Sequence, residues 1–185
     1  MKKISCLLFA GALFSTVISV QASEMNNIFK QAAIQDGMSA KGLWASAQIE
    51  SSGNPNAVHG RYAGLINMGE DEFRKYGSPY GDRMDPLHNL LAANYYVKEN
   101  AAVLREILHR QPTEAELYIS LQQGRRGMIE LLRNPRQLAV KVRGYDAIIG
   151  NLPSGQRKEA KRWTCEKFVG YWISRFNHVM EKVDV

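Results

Sequence analysis

The 185-residue chain predicts a mainly α fold: a compact helical domain with at most one small β-hairpin. Three observations carry that prediction. After residue 22, apolar residues recur at helical spacing, and no segment alternates as a half-buried strand does. Helix starts are marked by caps: Ser39, Asp85 with Pro86 behind it, and Thr113 with Glu116 three residues on. Between them, clusters of Gly, Asn and Pro mark the stops.

Residues 1–22 are expected to be a signal peptide. Lys2 and Lys3 precede an apolar stretch over 4–20, and Val20-Gln21-Ala22 is a small-x-small cleavage signal. A transmembrane helix is the competing reading, but the run is short and the cleavage signal follows directly. A lipid anchor would want its cysteine at the end of the run, and Cys6 lies near its start. Residues 23–185 are then expected to be one exported domain, periplasmic or secreted, without stable membrane insertion. Cleavage would leave Cys165 alone, so no disulfide would hold the domain and its core must.

Residues 25–38 place Ile28, Ala32 and Ile34 in helical register. Ser39 opens a second helix, to about Glu50, in which Leu43, Ala47 and Glu50 share one face with Trp44 beside it. Ser52-Gly53-Asn54-Pro55-Asn56 is turn chemistry. The apolar, irregular 62–68 suits a short hairpin. Residues 70–76 form a short helix with acids at its start, which suits the dipole. Asp85-Pro86 begins a long amphipathic helix through Leu87, Leu90, Leu91, Asn94 and Tyr95 to Leu104, Ile107 and Leu108. The Thr113 helix passes Leu117, Tyr118 and Leu121, and Gly124 is expected to stop it. Residues 128–133 and 137–142 are further short helices, and 144–155 is loop-like. The last helix is expected to carry Trp163, Phe168, Trp172, Phe176 and Val179 on one core-facing side.

Charge is uneven. Residues 23–123 hold nine Lys/Arg and twelve Asp/Glu, and residues 124–185 hold thirteen and six. A basic half suits a polyanion, and outside a membrane the carboxylates of the cell wall are a natural one. A solvated helix face explains the same charges. A zinc site is not expected, because His59, His88, His109 and His178 lie far apart and read as surface or helix-end residues. No P-loop, G-x-S-x-G or G-x-G-x-x-G occurs. Cys165 sits on an aromatic helix and reads as packing, not as a nucleophile.

Glu50 differs from the other carboxylates in its setting. It shares an apolar face and sits at a helix C-terminus, where the dipole opposes negative charge. Both effects raise a carboxyl pKa, as a proton donor to a glycosidic oxygen requires. Most single glutamates are structural, so position alone leaves both readings open.

Four segments in order resemble the lysozyme-like soluble lytic transglycosylase family: IESSGNPNAV, YAGLINM, DPLHNLLAANYYV and ELYISLQQGRRGMIELLRNP. A fifth, FVGYWISRF, is a weaker match, and the likeness is to phage-associated and specialised single-domain members. The resemblance spans roughly residues 25–179. It implies an α+β lysozyme-like domain with a catalytic cleft, and Glu50 as single acid/base with Ser51 beside it. Gly64, Leu65, Ile66, Asn67 and Met68 would line the cleft near the cleaved bond, and Gln122, Gln123 and Gly124 would match a further substrate-binding motif. Three positions depart from the family pattern. Asn67 replaces the usual Gln, Ile66 the common Met or Phe, and Leu121 the usual Tyr. Tyr118, one turn earlier on the same face, is the substitute.

The resemblance implies cleavage of the β-1,4 bond between N-acetylmuramic acid and N-acetylglucosamine in peptidoglycan, giving 1,6-anhydromuramic acid. No cofactor or metal is required. The expected partner is the peptidoglycan glycan strand, with an envelope-spanning machine as a further candidate. Nucleic acid is not an expected partner, and the chain is expected to be a monomer. Two alternatives stand. A hydrolytic muramidase would need a second carboxylate from Glu70, Asp71 or Glu72. A wall-binding module without catalysis would follow from the departures at Asn67 and Leu121.

Overall fold

A computed structural model of the chain describes residues 23–77 and 81–183. The leader expected over residues 1–22 lies outside the described residues. No helix among those described is long and apolar enough to cross a membrane.

The described residues open with α1, helical over residues 23–32. It ends earlier than the pattern over 25–38 predicts, and Asp36, in a left-handed conformation, belongs to the turn that follows. The turn after it is gripped by the buried Asn94, whose Oδ1 accepts from Met38 N at 2.6 Å and whose Nδ2 donates to the carbonyls of Ala32 and Met38. Helix α2, Ala40–Ser51, starts where Ser39 accepts a hydrogen bond from Gly42 N. It ends on Ser52 and Gly53, both left-handed, whose N–H groups close onto Gln48 and Ala47.

Three two-residue strands follow, β1 Val58–His59, β2 Tyr62–Ala63 and β3 Met68–Gly69. They form one antiparallel sheet in the order β1-β2-β3, with Val58 opposite Ala63 and Tyr62 opposite Gly69. The small hairpin expected over 62–68 is therefore part of a meander. The short helix α3, Glu70–Tyr76, runs straight on from β3.

Helix α4, Pro86–Leu108, is the central strut. Its buried residues, among them Leu90, Ala93, Val97 and Leu104, face the core from end to end. Helix α5, Glu114–Gln122, begins in the Thr113–Glu116 capping box, and Arg110 adds an ion pair to Glu116. Gly124 stops α5 as expected, since the helix ends at Gln122 with Gln123 as its C-cap and Gly124 next in the chain. Its φ of +71° bends the path, and α6, Gly124–Arg133, begins there, earlier than the expected 128. Helix α7 is Ala139–Arg143. The stretch 144–155, expected to be a loop, contains α8, Tyr145–Ile149, and the start of α9, Ser154–Ala160.

Helix α10, Cys165–Met180, is capped by Thr164. Trp163 thus precedes the helix instead of belonging to it. It remains buried, and its indole N–H donates to Glu159. Phe168, Trp172 and Phe176 enter the core, and α10 packs on α2, α5 and α6. Cys165 is a buried free thiol. The domain is mainly α and lysozyme-like, with its small sheet beside the C-terminal end of α2.

Candidate active site

Glu50 occupies the last turn of α2, above the buried Leu43 and Ala47. Its carboxyl opens into a cleft of about 860 Å³. One wall comes from the sheet: His59, Tyr62, Ile66, Asn67, Met68 and Gly69, with Glu72 of α3. The floor is Tyr118 and Trp172. The opposite wall is Leu121, Gln122, Gln123 and Gly124, continued by Arg143, Asp146, Ala147, Gly150 and Asn151.

A directed chain of hydrogen bonds reaches the acid. Tyr118 is fully buried on α5, stacked on Phe176 with ring centroids 5.4 Å apart and edge-on to Trp172. Its hydroxyl accepts from Gln122 Nε2 at 2.9 Å and donates to Glu50 Oε1 at 2.8 Å. Gln123 Nε2 in turn donates to Gln122 Oε1 at 3.2 Å and to the Ala147 carbonyl. A hydroxyl has one proton to give, so the donation from Gln122 aims the proton of Tyr118 at Glu50.

Asn67 braces the acid from the other side. It has a left-handed backbone, and its Nδ2 donates to the main-chain carbonyl of Glu50. Its Oδ1 lies 3.1 Å from His59 Nδ1. With both ends of its amide engaged within the protein, Asn67 holds the cleft in shape.

Burial pushes the Glu50 carboxyl up from its ordinary range, and the hydrogen bond from Tyr118, together with the nearby Asn67 amide, pulls it part of the way back. No ion-pair partner reaches Glu50 among the described residues. Burial and the facing Glu50 push the Tyr118 phenol far up, so it stays a neutral donor. With Oε1 occupied by Tyr118, a proton on Glu50 belongs on Oε2. The arrangement is a shielded carboxylic acid able to give that proton to a bound acceptor and take one back.

Most residues expected in the site line the cleft: Glu50, Ile66, Asn67, Met68, Tyr118, Gln122, Gln123 and Gly124. Three do not. The Ser51 hydroxyl turns away from the carboxyl and donates to the Ala47 carbonyl within its own helix. Leu65 is fully buried in the core. Gly64 sits behind the loop with φ +85°, and a Cβ there would lie 2.2 Å from Asn89 Nδ2. These two shape the loop that carries Ile66 and Asn67. Asn89 fastens it, accepting from Ile66 N at 2.9 Å and donating to the carbonyls of Ala63 and Arg83.

Several lining residues escape sequence reasoning. His59, expected as a surface residue, reaches the cleft because β1 pairs beside the Asn67 loop. Trp172 does belong to the core, as its spacing predicts, yet one edge of it forms the cleft floor. The stretch from Arg143 to Asn151 carries no periodic signal. Its mixture of polar residues beside glycines is the one cue it offers. Among the described residues no cluster of three His, Cys, Asp or Glu side chains has the makings of a metal site.

A mainly α, lysozyme-like fold with a single shielded carboxyl in an open cleft defines the class of protein. Comparison with family models then gives the family: the transglycosylase SLT domain matches residues 27–137, and the chain belongs to that family of peptidoglycan-directed lytic transglycosylases. No individual curated protein matches the chain. The family match ends before α7, so the Arg143 to Asn151 part of the opposite wall and the α10 aromatics lie outside it.

Proposed function

We propose that the protein cleaves the β-1,4 bond between N-acetylmuramic acid and N-acetylglucosamine in peptidoglycan, with Glu50 acting in turn as acid and base. Protonated Glu50 gives the proton on Oε2 to the leaving glycosidic oxygen. The resulting carboxylate removes the proton of the muramyl 6-hydroxyl, whose oxygen attacks C1 and closes a 1,6-anhydro ring. One carboxyl is enough, because an intramolecular hydroxyl takes the place of water. The observation that carries the reading is the Tyr118–Glu50 hydrogen bond at 2.8 Å inside an open cleft. It holds the carboxyl in one orientation, while burial favours its protonated form. It also answers the departure at Leu121, because Tyr118, a turn earlier, delivers a hydroxyl to the acid.

Export guided by residues 1–22 puts the domain, residues 23–185, in the periplasm or outside the cell, where this substrate is. Hydrolysis is the second reading, and it has one observation in its favour: Glu72 lines the same cleft. Glu70 does not, being paired with Arg74 and Arg83. The test is digestion of purified sacculi with mass spectrometry of the fragments. Anhydromuramyl ends from wild type, and a loss on the order of 1000-fold in Glu50→Gln, are expected. Reducing ends that vanish in Glu72→Gln would favour hydrolysis. Equal inactivity of wild type and Glu50→Gln would leave a binding module.

A further inference from the structure

Resting on the reading of Glu50 as the reacting acid, we propose that His59 is a substrate-contacting residue of the same cleft. Its Nε2 accepts a hydrogen bond from a hydroxyl group of the saccharide bound beside Glu50.

The tautomer follows from a chain of fixed partners. Asn67 Nδ2 donates to the main-chain carbonyl of Glu50. The reversed amide would set two oxygens against each other, so its orientation is decided. Oδ1 therefore faces the His59 ring, with Nδ1 at 3.1 Å. Nδ1 must carry a hydrogen to satisfy that contact, and in the neutral imidazole Nε2 is then left with the lone pair. The ring is held by an amide that is itself held by the backbone of the acid, so the position of Nε2 is tied to that of Glu50.

Three neighbouring polar side chains are already engaged. Both ends of the Asn67 amide are bonded within the protein, the Tyr118 hydroxyl serves Glu50, and Gln122 serves Tyr118. His59 is exposed and lines the cleft, and its Nε2 has no partner among the described residues. A saccharide brings hydroxyl donors to this wall, and Nε2 is an open acceptor there whose position is fixed through Asn67.

The rival role is a brace that only steadies Asn67. Two substitutions separate the roles, because an asparagine amide reproduces the Nδ1 end of a histidine and a glutamine amide reaches the Nε2 end. His59→Ala, His59→Asn and His59→Gln are compared with wild type for kcat/KM on sacculi. The same three changes, made on Glu50→Gln, are compared for affinity to a tetrasaccharide of alternating N-acetylglucosamine and N-acetylmuramic acid. Unchanged melting temperatures certify the fold. His59→Gln is expected within about threefold of the parent in both readouts, and His59→Ala and His59→Asn about tenfold weaker in both, as loss of one hydrogen bond implies. An asparagine variant equal to its parent, an alanine variant equal to its parent, or a glutamine variant as weak as alanine would overturn the proposal. If wild type releases no more product than Glu50→Gln, the acid assignment fails separately, and the order of affinities still decides His59.

Discussion

At the residue scale, the proposed chemistry turns on one proton and the hydroxyl that faces it. The hydrogen bond from Tyr118 favours the carboxylate and lowers the Glu50 pKa, while burial raises it by more. Donation to the leaving group needs the protonated acid, so activity falls as pH rises through that elevated pKa. Tyr118→Phe removes a lowering influence, and the alkaline limb of its kcat/KM profile should move to higher pH, with the rate about tenfold down for loss of positioning. A raised carboxyl pKa also bears on stability. Its contribution is fully present below the unfolded-state pKa and is lost as pH rises through the folded-state value. Glu50→Gln should therefore melt higher than wild type at neutral pH, and the gap should close in acid, as differential scanning fluorimetry at the two pH values would record. Glu50 stands out by local cues, an apolar helical face and a helix end, but its role rests on the family resemblance of IESSGNPNAV and the segments after it. Tyr118 was legible as one helical turn from an expected position. His59 was not, because strand pairing across the β1–β3 meander brings it to the acid, and two-residue strands leave no alternation to read.

At the element scale, the legible helices are largely those whose first turn has a side-chain cap. Ser39, Asp85 and Thr113 each accept a main-chain hydrogen bond, and α2, α4 and α5 begin where the sequence predicts. Helices α6, α8 and α9 start at Gln123, Gly144 and Pro153 without a capping side chain, and these starts were misplaced or missed. Thr164 does cap α10, but Trp163 before it continues the apolar pattern and hid the boundary. Thr113→Ala should cost about 1 kcal/mol in urea unfolding. The loop that carries Ile66 and Asn67 depends more heavily on one side chain. Asn89→Ala strands the Ile66 N–H and weakens two further carbonyl contacts, for a loss of roughly 3 kcal/mol. Gly64→Ala places a methyl group against that same amide at a positive φ, and should cost about 2 kcal/mol or more. Either change should also slow sacculus digestion beyond its effect on stability, because the loop sets the position of Asn67.

At the scale of the whole molecule, the fold class was legible throughout, since helical periodicity is spread over the chain and does not rest on any one motif. The charge division was legible too. Its basic half includes Arg157, Lys158, Lys161 and Arg162, exposed on and just after α9, clear of the catalytic cleft. Retention on sacculi should weaken as salt rises, because exposed charges are screened within about 10 Å at 0.1 M ionic strength. Replacing Lys158, Lys161 and Arg162 with Gln should flatten that salt dependence in a pelleting assay, with turnover of a soluble oligosaccharide unaltered. The stacking of Tyr118 on Phe176 has a consequence for how such a protein can be recombined. The segment that the family shares, 27–137, contains the acid and its hydroxyl partner, but the aromatic bed under that hydroxyl comes from α10. A chimera joined at the family boundary would inherit Glu50 and Tyr118 without the surface that keeps them aligned. The tail and the shared segment must therefore be inherited together.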